Sequence, residues 1–153
     1  MEQIEIEIVL EGIGHGERWP HIFINVNNKT YFDEIVKDKQ IVTFTAEIEE
    51  EFTNNSLEII YDNHHYTDSI TDDNGTVIKG KWIIVDQIKL EGIDLGNLIY
   101  EKSKIYITED WYTEQENKDE FPPIRYFETE ISWNSKYVLE FNSPIYIWLL
   151  ENL

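Results

Sequence analysis

The sequence predicts an all-β fold, a jelly-roll-like β-sandwich forming one domain over 1–153, and two observations carry that prediction. Apolar and polar residues alternate with period two along most of the chain, which sends successive side chains to opposite faces of a strand. The composition is also that of strands: aromatic residues make up 14%, together with many Ile, Val and Thr, and turn-forming Gly, Asn, Asp and Pro punctuate the runs.

The elements follow in order. Ile4-Glu5-Ile6-Glu7-Ile8 is a half-buried strand with isoleucines inward and glutamates in water. Gly12-Ile13-Gly14-His15-Gly16 breaks it, and Trp19-Pro20 leads into a second strand, Ile22-Phe23-Ile24-Asn25-Val26. Asn27-Asn28 is a tight turn, after which Tyr31-Phe32 and Ile35-Val36 continue as strand. From Ile41 to Ile48 the core face is Val42, Phe44, Ala46 and Ile48. Glu49-Glu50-Glu51 reads as a solvated strand end and Asn54-Asn55 as a turn. A strand at Leu57-Glu58-Ile59-Ile60-Tyr61 then enters a loop rich in Asp, Asn and His, where Asn74-Gly75 predicts a type I′ hairpin turn.

Trp82 to Leu90 is the next strand, ending in Glu91-Gly92, and Asn97 to Ile107 follows with its alternation interrupted near Lys102-Ser103-Lys104 by a bulge or break. A long acidic loop runs from Thr108 to Asp119 around Trp111-Tyr112, closed by the rigid Phe121-Pro122-Pro123. Thr129 to Trp133, the turn Asn134-Ser135 and Tyr137 to Phe141 read as a hairpin. Pro144 opens a short C-terminal helix, with Ile145, Trp148 and Leu149 at helical spacing; a last strand is the alternative.

Charge narrows the function. Asp and Glu number 31 against 12 Lys and Arg, a net charge of −19, which repels phosphate backbones and anionic membranes. Nucleic acid and membrane partners are therefore not expected, whereas cations and basic partners are favoured. With no cysteine, disulfides, zinc–thiolate sites and thiol catalysis are excluded. The first residues, Met1-Glu2-Gln3-Ile4-Glu5, lack the basic and apolar regions of a signal peptide, so synthesis in the cytoplasm is expected.

The candidate chemistry lies in the loop after Tyr61. Asp62, Asp68, Asp72 and Asp73, with Asn63 and Asn74 beside them and Asp86 on the following strand, supply oxygen atoms of the kind that Ca²⁺ takes six to eight at a time. Asp62, Asp68, Asp72 and Asp86 are the candidate metal ligands; the alternative is a solvated hairpin tip whose Asp and Asn serve turn geometry. An EF-hand register fails, because it puts Ile70 in the first ligand position and Lys81 where the bidentate acid belongs. His64 and His65 adjoin these acids, but neighbours on a strand face opposite ways and would not share one metal. No Gly-x-Ser-x-Gly or His-Glu-x-x-His motif is present, and no catalytic residue is assigned.

Among the tryptophans, Trp133 and Trp148 sit in apolar patterns and are expected in the core, whereas Trp19, Trp82 and Trp111 flank loops. An indole beside Asp, Asn and His can stack on a sugar ring while they bond its hydroxyls, which makes Trp19, Trp82, Asn63, His64 and His65 the candidate ligand-binding set. Partly buried structural anchors are the alternative.

Residues 4–92 resemble the calcium-dependent, xylan-binding type of carbohydrate-binding module. The resemblance rests on the opening strand with Gly12, the Gly16-x-x-Trp19-Pro20 approach to Ile22-x-Ile24-x-Val26, the Phe44 strand, and Ile59-Ile60-Tyr61-Asp62-Asn63 followed by Ile84-Val85-Asp86-Gln87-Ile88-Lys89-Leu90-Glu91-Gly92. Where such modules tend to carry an Asp-Arg-Asn-Leu-like run, this chain has Lys79-Gly80-Lys81-Trp82. Residues 93–153 add further strands, a loop and a tail without an assigned counterpart. The resemblance implies a non-enzymatic β-sandwich with Ca²⁺ as its cofactor and polysaccharide as a partner. Modules of this kind also resemble parts of phage virion proteins, which implies a structural or decoration role in a particle, with other virion proteins or further copies of the chain as partners. A glycan-binding module and, as a further rival, a glycan-active hydrolase are the alternatives.

Overall fold

The computed structural model describes residues 1–49, 54–109, 124–125 and 130–153. The expectations for Glu50-Glu51, the loop around Trp111-Tyr112, Phe121-Pro122-Pro123 and Thr129 fall outside these residues. The strands are β1 (Glu2–Ile13), β2 (His21–Val26), β3 (Lys29–Ile35), β4 (Asp38–Ile48), β5 (Asn54–Tyr61), β6 (Ile70–Thr71), β7 (Val77–Lys79), β8 (Trp82–Leu90), β9 (Ile93–Asp94), β10 (Ser103–Ile107), β11 (Ile124–Arg125), β12 (Glu130–Ile131) and β13 (Ser135–Asn142). Two short helices, α1 (Leu98–Glu101) and α2 (Ile145–Asn152), and a 3-10 turn at Tyr66–Asp68 complete the elements.

One antiparallel sheet runs β12-β8-β1-β4, with β9 also on β8; the other runs β11-β10-β13-β5-β2-β3, and β6 and β7 form a separate hairpin. Their inner faces meet in one core, to which the alternation assigns Ile4, Ile6, Ile8 and Leu10 of β1, Ile22 and Ile24 of β2, Leu57, Ile59 and Tyr61 of β5, and Tyr137, Leu139 and Phe141 of β13. On β4, Val42, Ala46 and Ile48 are buried as predicted, while Phe44 is half-buried and stacks on Tyr31 of β3 with ring centroids 4.9 Å apart. The β-sandwich expected from the sequence is thus the observed architecture, with a short C-terminal helix.

β8 changes phase midway. Ile83 and Val85 face inward, then Ile88 and Leu90 do, so the inward series slips by one residue. Its pairing with β1 shows why: Leu10 lies opposite Val85 and Val9 opposite Gln87, leaving Asp86 as the extra residue of a β-bulge on the outer face. β1 itself continues through Gly12 to Ile13 instead of breaking at the glycines. Gly12 is required there because a Cβ would stand 2.1 Å from the Val36 carbonyl oxygen, where the β3–β4 connection crosses the strand.

Four local expectations need correction. The hairpin at Asp72–Thr76 forms, but only Gly75 has positive φ (82°); Asp72 Oδ1 accepts from the amides of Asn74 and Thr76, both at 2.9 Å, so a type I turn with a glycine bulge replaces type I′. Asn54-Asn55 is not a turn but the start of β5, where buried Asn55 accepts from Asn27 Nδ2 at 2.8 Å. α1 occupies the start of the segment expected as strand, and buries the neighbours Leu98 and Ile99 together. The Ile131 and Tyr137 strands are not a hairpin: β12 pairs with β8 and β13 lies between β10 and β5, so residues 132–134 cross from one sheet to the other.

The tail helix α2 begins with Pro144 at its N-cap and buries Ile145, Trp148 and Leu149, while Tyr146, Ile147 and Leu150 face outward. Asn27-Asn28 turns as predicted, both residues with positive φ. Among the described residues no helix is long and apolar enough to cross a membrane.

Candidate functional site

Several of the candidate residues, among them Asn63, His64, Asp68 and Trp82, lie at one end of the sandwich, where β5 ends, β8 begins and the chain crosses between sheets. The centre of the loop is Asp68, whose side chain is only 4% exposed. Its Oδ1 accepts from Arg18 at 2.8 Å, and its Oδ2 accepts from the Lys81 ammonium and the His65 amide, each at 2.8 Å. Burial alone would raise the Asp68 pKa, but Lys81, the His65 amide and Arg18 outweigh it and hold the carboxyl below its ordinary value. Lys81, 6% exposed in its side chain, also donates to the Asn63 carbonyl, and Tyr61 Oη donates to the Lys81 carbonyl at 3.0 Å.

The other predicted ligands lie elsewhere. Asp62 is half-exposed and bonds His21 Nδ1 at 3.0 Å, Asp72 caps its own hairpin, and Asp86 projects from the β8 bulge near Lys39. Asn63 is a stitch: Oδ1 accepts from the His21 amide and Nδ2 donates to the Trp19 carbonyl. The structure therefore does not bring Asp62, Asp68, Asp72 and Asp86 together, and among the described residues no group of three or more metal-ligating side chains is placed to hold an ion. Ca²⁺ does not fit these residues, since the one deeply buried carboxylate already serves two cationic side chains.

His21 bridges two acids, with Nε2 2.6 Å from Asp33 and Nδ1 3.0 Å from Asp62. Burial works against its charge, but hydrogen bonds to Asp62 and Asp33 prevail and raise its pKa above the ordinary value. A raised histidine pKa gives stability that is fully present below the unfolded value of about 6.5 and is lost as pH rises through the folded value. His21→Asn is therefore expected to lower stability most in mildly acidic buffer and least in alkaline buffer. Urea unfolding of both proteins across that range measures the difference, and one independent of pH would assign His21 to packing alone.

A cleft of about 380 Å³ opens beside this loop, walled by Trp82, Trp133, His64, Glu130, Ser132 and Ser69 among others. Trp82 is half-buried, and its indole N–H is buried without a hydrogen-bond partner among the described residues. The ring lies close over Gly80, where a Cβ would sit 3.0 Å from it. His64 is fixed by its surroundings: its backbone amide and carbonyl both bond the Asn134 side chain, and Nδ1 lies 2.6 Å from Glu109 Oε1. Glu109 also accepts from the Asn134 amide at 2.8 Å, so one carboxylate orients both the imidazole and the crossover. Nδ1 is committed to Glu109, and Nε2 has no hydrogen-bond partner among the described residues. The outer face of the second sheet holds a hollow of similar size, about 390 Å³, but its one aromatic wall residue is Tyr106 and an ion pair between Lys136 and Glu58 crosses it.

Of the predicted ligand-binding residues, His64 and Trp82 line the cleft. Trp19 is half-buried with Nε1 bonded to the Gly16 carbonyl, His65 caps the 3-10 turn through Thr67, and Asn63 holds the loop to β2. Trp133, expected in the core, is instead a half-buried wall of the cleft, because β12 ends at Ile131 and the crossover turns the indole out of the strand pattern. Glu109, Lys81 and Glu130 were not singled out by sequence patterns; Lys81 marked itself only by standing in a run where the resembling modules carry a different one.

No protein-family model matches the chain, and neither does any curated protein. Among solved structures, the selenomethionine form of vCBM60, described as linking two families of calcium-dependent carbohydrate-binding modules by circular permutation, is similar at 14% identity and a TM-score of 0.52, over 91% of each chain. vCBM60 in complex with galactobiose is similar at 12% identity and a TM-score of 0.51, covering 88% of this chain and 96% of that one. At such identities the likeness is one of fold, the β-sandwich that this chain shares with vCBM60.

Proposed function

We propose that the protein binds carbohydrate, without turnover, in the cleft between Trp82 and Trp133. The observation that carries this reading is the pairing of two half-buried indoles, Trp82 and Trp133, in one cleft with His64, Glu130 and Ser132. Sugar rings offer apolar faces to stack on tryptophan and hydroxyls that need donors and acceptors. His64, Glu130 and Ser132, which line the cleft, carry such groups. The galactobiose complex of a protein with the same fold supports a sugar as the ligand class. Trp82→Ala and Trp133→Ala are each expected to weaken glycan binding about two- to tenfold, since each removes an aromatic contact worth roughly 0.5–1.5 kcal/mol. Glycan-array screening followed by calorimetry on the best hit checks this; full affinity in both variants would remove the cleft as the site.

A structural role in an assembly, such as a phage particle, is a second reading, and helix α2 favours it. Tyr146, Ile147, Leu150 and Leu153 are all exposed at the chain end, Leu150 by 83%. Apolar patches of this kind mark interfaces. Concentration-dependent sedimentation that Leu150→Glu abolishes would support assembly, and a monomer at high concentration would oppose it.

A further inference from the structure

We infer that the ammonium group of Lys81 serves as a built-in cation for the loop from Asp62 to Asp68, so that this end of the sandwich is organised without a metal ion. The inference is independent of the carbohydrate reading, because it concerns the folded protein without ligand.

Lysine is seldom buried, and here the whole residue is 7% exposed. Its Nζ reaches two oxygens from separate parts of the loop, the Asn63 carbonyl and Asp68 Oδ2. The base of the side chain is anchored from below by Tyr61 Oη on the Lys81 carbonyl. One positive centre thus ties the end of β5, the 3-10 turn and the start of β8, which is the work a bound cation performs in an oxygen-lined loop.

Among the described residues, the oxygens around Lys81 are already engaged. Asp68 Oδ2 serves Lys81 and the His65 amide, and Oδ1 serves Arg18. The Asp68 carbonyl meets His15 Nε2 at 2.6 Å, and Asn63 Oδ1 is taken by the His21 amide. A divalent ion would have to displace Lys81 and sit beside Arg18, where like charges repel.

The test is thermal melting in millimolar CaCl₂ and in EDTA. The wild-type midpoint is expected to be the same in both, whereas Lys81→Met, which keeps the aliphatic stem and removes the charge, is expected to melt about 10 °C lower. Lys81→Asp puts a second carboxylate opposite Asp68 and is expected to gain a calcium-dependent rise in its midpoint that the wild type lacks. A wild-type midpoint that rises with calcium or falls with EDTA would overturn the inference, as would a Lys81→Met protein as stable as wild type. A Lys81→Asp chain indifferent to calcium would overturn it too. Should Lys81→Met fail to fold, the wild-type comparison alone still decides.

Discussion

Ending the chain at Ser143 is expected to leave no stable domain. Helix α2 contributes Ile145, Trp148 and Leu149 to the core, none more than 6% exposed. Burying a large apolar side chain is worth about 1.5–3 kcal/mol, so three together amount to about 5–9 kcal/mol, comparable with the whole stability of an ordinary domain. Trp148 also packs its edge on Phe141 with centroids 6.2 Å apart, and the Ile145 amide donates to Glu2 at 2.8 Å, which ties the helix to the start of β1. Near-ultraviolet circular dichroism and a thermal melt read the result. A truncated protein that melts cooperatively at the wild-type midpoint would show that the helix is an appendage.

Asp68→Ala is expected to cost about 3–5 kcal/mol, the range for stripping one partner from a buried ion pair. The loss is large because one carboxylate takes three donors, and its removal leaves the buried Lys81 ammonium with the Asn63 carbonyl as its one remaining acceptor among the described residues. The effect also has a pH signature. Because the folded Asp68 pKa is depressed, its contribution is fully present above the unfolded carboxylate value of about 3.9 and disappears as pH falls through the folded value. Urea titrations from neutral to acidic pH should therefore show the wild type and the variant converging only in strong acid. Curves that differ little at neutral pH would mean that Arg18 and Lys81 are satisfied elsewhere.

Period-two patterning made the sandwich legible, because one buried face per strand leaves its mark on every second residue, as in Ile4, Ile6 and Ile8. Even the bulge at Asp86 is written in the sequence as a slip from Ile83 and Val85 to Ile88 and Leu90. Topology was not legible at the tail: alternation in Thr129–Trp133 and Tyr137–Phe141 is the same whether the strands pair with each other or join opposite sheets. The candidate site was half legible. Trp82 and His64 carry the right chemistry at a loop edge, but Trp133 looks like core until the strand is seen to stop at Ile131. The four acids look like a cation site because sequence counts negative charges and cannot see that Lys81, reaching in from the next strand, answers the buried one.

The place of β13 has a consequence for how the protein is made. It sits between β5 and β10, with Asn142 opposite Asn54 and Leu139 opposite both Leu57 and Ser103, so a central strand of the six-stranded sheet is synthesised after both of its neighbours. Until it leaves the ribosome, β5 presents an open edge flanked by Leu57 and Ile59, a template for any neighbouring extended chain. Closure must then join segments far apart in sequence, which makes folding slow and concerted rather than progressive. Nascent chains arrested before residue 135 should consequently be the species that chaperones hold, and chains that include β13 the first that they release.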